Sequence, residues 1–241
     1  MLAIALRNGI DLENLLAANP EINPRLLSVG TVLVIPLGEI IPVVPMTATP
    51  LPITTTTPDC YAAPDGVWCF LVVTNDRSRP LENLSARIVL YNQSGEMIAD
   101  GIGIAALNLV PVDEAIPLVV FFPGIQTDEI TALGELITAQ TVPKNYDRYL
   151  NAWIEIKQVD LSDDSMQAEV IGSYGLPKKS SPGNLVWIVA IAYDAEGRVA
   201  GIRKIEEIKP FEPGESRDFS LIVYSLDPQI AEVKVFIEAR P

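Results

Sequence analysis

The sequence predicts a mainly β protein with a small helical segment at its N-terminus. From residue 60 onward, apolar residues recur at every second position in short runs bounded by turn residues, which is the pattern of half-buried strands. This pattern repeats: Gly197 in the second copy follows Gly95 in the first by 197 − 95 = 102 residues. A stretch rich in proline and threonine separates the two copies from the N-terminal 36 residues.

The composition supports a folded, non-nucleic-acid-binding protein. Of the 241 residues, 49% are hydrophobic and 20% charged, so the chain can bury substantial cores. The formal net charge of −14, from 17 basic and 31 acidic residues, argues against a phosphate-binding surface. The sequence contains no histidine, the commonest general base, and no apolar run of the roughly 18–20 residues that a membrane span needs.

The first 36 residues read as two short helices followed by a strand. Gly9 ends the first helix, and Asp11 caps a second one whose Leu12, Leu15 and Leu16 share one face. The dipeptide Asn19-Pro20 ends that helix, because proline cannot continue it. Residues 29–36 are rich in β-branched side chains and form the predicted strand.

This order of residues resembles a LysM module, a βααβ domain that binds glycans containing N-acetylglucosamine. The matching positions are Ile4, Ala5, Gly9, Leu12, Leu15, Asn19, Pro20, Ile22, Asn23, Leu27, Val29, Gly30, Leu33, Ile35 and Pro36. The resemblance implies a peptidoglycan or chitin-like ligand, held by backbone amides and shallow apolar contacts. It places the glycan site on the segment after the second helix, at Asn19, Pro20, Glu21, Ile22, Asn23 and Leu27.

The resemblance is incomplete at its N-terminal end. A LysM module opens with a strand and a Gly-Asp-Thr turn, whereas here Met1 already lies inside the expected first helix. No signal peptide precedes it either. We interpret residues 1–36 as a truncated module that lost its first strand together with a secretion signal, and expect a cell-envelope or extracellular location. The alternative is a cytosolic protein.

Two further regions follow. Residues 37–58 contain five prolines and a run of four threonines, and predict an extended linker. Residues 59–143 and 149–241 predict two copies of one β-sandwich, and they resemble the FxLYD-type or immunoglobulin-like modules of bacterial surface proteins. That resemblance implies a fold and no catalytic residues.

Cys60 and Cys69 are the only cysteines, and they flank the turn sequence Pro64-Asp65-Gly66. The turn predicts two antiparallel flanks that bring the cysteines together, so we predict a disulfide and an oxidising compartment. The alternative is two free buried thiols. A zinc site would require more ligands than these two thiols supply.

The remaining acidic and aromatic residues point to structure more than to chemistry. The sequence Asp160-x-x-Asp163-Asp164 has carboxylates that calcium favours, but its position between two strand patterns predicts a tight hairpin. The pairs Glu206-Glu207 and Asp113-Glu114 are interpreted as solvated charges. We expect both Trp153 and Trp187 in the core and not as sugar-stacking platforms. We therefore predict no catalytic residue, no metal and no cofactor.

The sequence thus predicts a non-catalytic envelope protein that binds peptidoglycan and displays two sandwich modules, with other envelope proteins as a further class of partner. An alternative is a structural or adhesion protein that acts through protein contacts of the sandwiches, with an inactive LysM remnant. A third hypothesis, an accessory to a wall hydrolase, would need a catalytic domain that this sequence lacks.

Overall fold

The computed structural model describes residues 12–20, 32–36, 52–125, 130–143 and 147–241. The chain divides into two compact units, Met1–Thr47 and Ala48–Pro241. In the first unit the described residues form one helix, α1 (Leu12–Ala17), and an irregular segment over residues 32–36. The strand predicted over residues 29–36 is therefore wrong in its described part. A strand needs a ladder partner, and among the described residues of this unit Val34 is bonded by the Asn19 side chain and by no strand.

The second unit confirms the predicted mainly β fold. Its described part contains fourteen strands: β1 (Thr54–Thr55), β2 (Asp59–Ala63), β3 (Gly66–Thr74), β4 (Leu81–Tyr91), β5 (Met97–Ala105), β6 (Leu109–Val110), β7 (Ala115–Pro123), β8 (Thr131–Thr141), β9 (Trp153–Leu161), β10 (Gln167–Gly175), β11 (Leu185–Tyr193), β12 (Val199–Glu207), β13 (Ser216–Tyr224) and β14 (Glu232–Arg240). Strands β1–β8 form the first half of the unit and β9–β14 the second half.

The two halves pair their strands in corresponding ways. In the first half β3 pairs with β2 and β7, and β4 pairs with β5 and β8. In the second half β10 pairs with β9 and β13, and β11 pairs with β12 and β14. The register also recurs at the spacing of 102 residues: the pair Tyr91–Met97 corresponds to Tyr193–Val199, and both pairs follow a register shift.

The halves differ where two strand groups meet. In the first half β5 also pairs with β7 through Ile104–Val119 and Ala105–Leu118, so that all eight strands join one sheet. In the second half the strands form two three-stranded sheets, β13-β10-β9 and β12-β11-β14, around a shared hydrophobic core.

Local sequence explains most strand boundaries. The β2–β3 hairpin turns at Pro64 and Asp65, and Gly95 and Gly197 take positive φ angles in the turns after β4 and β11. Strand β7 begins at Ala115, after a turn in which Asp113 adopts a left-handed conformation with φ of 61°. The sheet also starts earlier than expected: Thr54 and Thr55, within the predicted linker 37–58, pair with β3.

Strand β11 is buried on both of its faces. Val189, Ile191 and Tyr193 alternate with Ile188 and other residues that point to the opposite side. The first set packs into the core of the first half, and the second set packs into the core of the second half. Sheet β12-β11-β14 therefore lies between two cores, which explains the uninterrupted apolar sequence of β11.

Buried carboxylates join the two halves. One side-chain oxygen of Glu238 accepts hydrogen bonds from the backbone amides of Asn108 (2.7 Å) and Leu109 (2.9 Å), and the other pairs with Arg240 at 2.6 Å. Glu82 accepts hydrogen bonds from Arg148 at 3.1 Å and from the Tyr149 hydroxyl at 2.8 Å. Because both carboxylates are almost fully buried, these bonds are only weakly screened by solvent.

Candidate functional site

The candidate glycan site begins at the end of helix α1. Leu15 is fully buried, as the predicted apolar face requires. The helix ends at Ala17, and the backbone amide of Asn19 closes the last turn on the Leu16 carbonyl at 3.0 Å. Pro20 follows and is exposed, consistent with its predicted role as the residue that stops the helix.

The Asn19 carboxamide links this helix end to residues 32–36. Its nitrogen donates to the Leu15 carbonyl at 2.7 Å and to the Val34 carbonyl at 2.8 Å, and its oxygen accepts from the Val34 amide at 2.8 Å. The side chain thus bonds the Leu15 carbonyl, which lacks an intrahelical partner. It also donates to and accepts from the backbone of Val34, as a residue of a neighbouring antiparallel strand would. With 6% of its surface exposed, Asn19 holds the backbone in place and offers little surface to a ligand.

The other predicted glycan-binding residues divide between exposed and undescribed positions. Pro20 is exposed next to Asn19, whereas Glu21, Ile22, Asn23 and Leu27 lie outside the described residues. The structure adds two apolar side chains that the sequence analysis did not select, Val32 at 86% and Val34 at 61% exposure. Their alternation within an apolar run was the available signal, but that pattern alone could not say which side of the segment is solvent-exposed.

The predicted disulfide between Cys60 and Cys69 is present. The two residues face each other across the β2–β3 hairpin with their Cα atoms 4.1 Å apart. Cys69 is fully buried in the core of the first half, so the cross-link ties the short edge strand β2 to that core.

The acidic groups considered for chemistry lie in structural positions. Asp164 forms the predicted turn between β9 and β10, where its carboxylate accepts hydrogen bonds from the Ser162 hydroxyl (2.6 Å) and the Met166 amide (3.0 Å). These two bonds lower the pKa of Asp164. Asp113 forms part of the turn before β7. Among the described residues, no group of three histidine, cysteine, aspartate or glutamate side chains could hold a metal ion.

The two tryptophans have different surroundings. Trp187 is half-buried against the core of the first half, and its indole nitrogen donates to Glu206 at 2.5 Å. Trp153 is 38% exposed, so its predicted core position is wrong. It lies on strand β9 opposite Gly175, over which its ring packs. In the described part of the chain β9 pairs only with β10, so the ring stays partly in solvent.

A cavity of about 210 Å³ opens between β12 and β13 in the second half. Apolar residues including Ile188 and Phe219 line its floor, and Glu207 lies at its wall. Glu207 accepts a hydrogen bond from the Tyr174 hydroxyl and pairs with Arg217 at 2.8 Å. Burial tends to raise the pKa of Glu207, but the Tyr174 hydrogen bond and the Arg217 charge outweigh it and lower that pKa. Burial, followed by the bond to Glu207, raises the pKa of Tyr174 to about 12.

Residues 3–36 match the family model described as "LysM domain". The match covers the stretch that carries the resemblance in the sequence and includes all six predicted glycan-binding positions. The match concerns this segment alone and leaves the β unit outside it. No curated protein matches the chain.

Solved structures offer only distant similarity. A red sea bream transglutaminase aligns at 11% identity and a TM-score of 0.25, covering 78% of this chain and 29% of that one. A Bacteroides uniformis β-glucuronidase aligns at 14% identity and a TM-score of 0.25, with coverages of 72% and 24%. The BSP domain of a biofilm-associated protein aligns at 12% identity and a TM-score of 0.20, with coverages of 78% and 27%. This chain therefore spans only about a quarter of each, and such scores support no inference about it.

No helix within the described residues has the length and apolar character needed to cross a membrane.

Proposed function

We propose that this chain is a non-catalytic glycan-binding protein of the cell envelope. Its LysM segment binds peptidoglycan or a chitin-like polymer, and its β unit presents two copies of one immunoglobulin-like sandwich. The observation that carries the proposal is the LysM match over residues 3–36, in which Asn19 fixes the helix end beside the predicted site. The disulfide between Cys60 and Cys69 favours an oxidising compartment outside the cytosol.

The predicted site divides into a positioning residue and contact residues. Asn19 makes three hydrogen bonds within the protein and is buried, so it acts on the ligand through the backbone that it holds. Pro20 and residues 21–23 supply the contacts. Binding through backbone amides and acetamido methyl groups requires no titrating side chain, so we expect little pH dependence near neutrality.

Co-sedimentation with purified, insoluble peptidoglycan and with chitin tests the proposal. The full chain should pellet, and the β unit alone, residues 48–241, should remain in solution. A triple variant, Glu21→Ala/Ile22→Ala/Asn23→Ala, should lose retention while the hydrogen exchange of helix α1 stays unchanged. If the β unit alone pellets, the sandwiches bind the polymer. If the full chain stays in the supernatant with both peptidoglycan and chitin, the glycan function is excluded.

Asn19→Ala should behave differently from the triple variant. It leaves the Leu15 and Val34 backbone groups without their partner, which should destabilise the first unit by about 1–3 kcal/mol. Retention should fall together with faster hydrogen exchange over residues 12–20. Lost retention with unchanged exchange would instead make Asn19 a direct ligand contact.

The alternative function, adhesion through protein contacts, is favoured by one observation. The first half exposes large apolar side chains, among them Ile102 and Ile104 at 52% and 62%. Such residues on one sheet face are typical of interaction surfaces.

A further inference from the structure

The outer face of the first half is the side of sheet β5-β4-β8 that points away from its core. Cross-strand pairs define it: Met97 faces Tyr91, Ile102 faces Arg87, and Leu133 faces Val89. Met97, Ile102, Ile104 and Leu133 are 55%, 52%, 62% and 53% exposed. Isolated exposed apolar residues are ordinary, but here four of them lie on one continuous three-stranded surface.

The corresponding face of the second half is covered along strand β11 and at the start of β12, whereas Lys204 and Glu206, the counterparts of Ile102 and Ile104, are half-buried and exposed. At the spacing of 102 residues, Val89 corresponds to Ile191 and Met97 to Val199, both fully buried. These residues belong to the hydrophobic core that extends into the first half. Within one chain, the apolar part of this sheet face in the second half is therefore covered by the first half, whereas the same face of the first half stays exposed.

The charge on the outer face favours contact between like molecules. The chain carries a net charge of −14, so most surfaces of two copies repel each other. On the outer face, however, Arg87 lies near its centre and bonds Asp100 at 2.9 Å, and Glu135 is its cross-strand neighbour on β8. One cation and two carboxylates leave the face close to neutral, and a two-fold axis would bring each Arg87 within reach of the other copy's carboxylates.

We propose that the outer face of the first half is a self-association surface that packs against the same face of a second copy. Two sheets pack face to face about 10 Å apart through apolar side chains of this kind. Three strands of nine to eleven residues cover about 14 Å by about 33 Å, or roughly 450 Å². This is less than the roughly 800 Å² per partner of a standard interface, so the dimer is expected to be weak. The contact is isologous and stops at two copies.

Sedimentation velocity on the full chain, from about 1 μM to about 500 μM, tests this inference. The wild type should shift from the mass of one chain toward the mass of two. The double variant Ile102→Glu/Ile104→Glu should remain a single chain throughout, because it would bury four carboxylates in each dimer. Tyr224→Glu, on strand β13 of the second half, is the matched control, since Tyr224 is equally exposed at 61% and should leave dimerisation unchanged.

Thermal unfolding first establishes that each variant folds, and Leu133→Arg on the neighbouring strand β8 replaces the double variant should that one unfold. Dimers that persist in both outer-face variants would overturn the proposal, as would a wild type that stays a single chain at every concentration. Growth beyond two chains would assign a head-to-tail contact instead. A single-chain wild type whose outer-face variants also lose glycan retention would assign the face to the wall polymer.

Discussion

Sheets β5-β4-β8 and β12-β11-β14 have the same strand pairing, and the β4–β5 and β11–β12 ladders have the same register, yet β4 has a solvent-exposed face and β11 has two buried faces. The difference is in the side chains. Arg87 corresponds to Val189, and Ser85 corresponds to Trp187, so strand β11 carries larger or more apolar groups than β4 where it meets the first half. One backbone scaffold can thus serve as a surface or as an internal layer, according to a few outward-pointing residues.

The two halves also differ at the seam, which is the place where β5 meets β7 in the first half and where β12 lies beside β13 in the second half. Ile104 and Ala105 of β5 pair with β7 and close the seam of the first half. Their counterparts on β12 are Glu206 and Glu207, and among the described residues no ladder pairs β12 with β13. Glu207 bonds Tyr174 and Arg217 instead, and the cavity lies beside them. Charged side chains thus occupy the positions that form a backbone ladder in the first half.

The largest expected effect is a loss in the free energy of unfolding when a residue of the buried face is changed, compared with its counterpart on the exposed face. Glu238→Ala removes the partner of two backbone amides and of Arg240, all at the joint between the halves. We expect a loss of about 3–5 kcal/mol in the free energy of unfolding, measured by guanidinium titration. Thr138, which pairs with Ser85 as Glu238 pairs with Trp187, is exposed, and Thr138→Ala should cost less than about 1 kcal/mol. Equal losses in the two variants would show that the two faces contribute equally to the free energy of unfolding.

A smaller effect tests the cross-link that only the first half contains. Cys60→Ala/Cys69→Ala removes a bridge that closes a loop with a sequence separation of 9. The chain-entropy model predicts a loss of about 2–3 kcal/mol in the free energy of unfolding. Reductant should lower the stability of the wild type by the same amount and leave the double variant unchanged. A reductant effect on the variant would refute the assignment of that energy to the disulfide.

The smallest effect concerns acid sensitivity at the open seam of the second half. The folded pKa of Glu207 lies below its ordinary value of 4.5, so its ionised form stabilises the fold above that pH. This contribution should disappear as the pH falls through the folded pKa. Glu207→Gln should therefore lower the melting temperature at pH 7 and flatten its decline below pH 4.5. Glu155→Gln, on exposed strand β9, serves as the control and should keep the wild-type pH profile.

Local patterns in the sequence predicted much of the β fold. The alternation of apolar residues from residue 60 onward predicted half-buried strands, and in β4 the alternating side chains of Leu84, Ala86, Ile88 and Leu90 are all buried. The Pro64-Asp65-Gly66 turn predicted both the β2–β3 hairpin and the disulfide. These predictions succeeded because a turn or a two-residue period is determined by neighbouring residues.

Contacts between distant residues could not be predicted in the same way. Nothing in the local sequence marks Glu82 and Glu238 as buried, because their partners lie 66 and 130 residues away in the sequence. Trp153 was expected in the core because nothing local marks β9 as an edge strand. The role of Asn19 was partly visible, since Asn-Pro predicts a helix end, but its bonds to Val34 depend on how the chain returns. The uninterrupted apolar run of β11 was the one available signal of two-sided burial.

The Cys60–Cys69 bridge also limits how far the chain can be stretched. If the N-terminal segment holds the protein to a wall polymer, as proposed above, tension on the opposite end would act on the strands of the first half. The bridge spans a sequence separation of 9, and each residue inside it would otherwise release about 3.3–3.6 Å of contour length. The bond therefore withholds about 30 Å of extension.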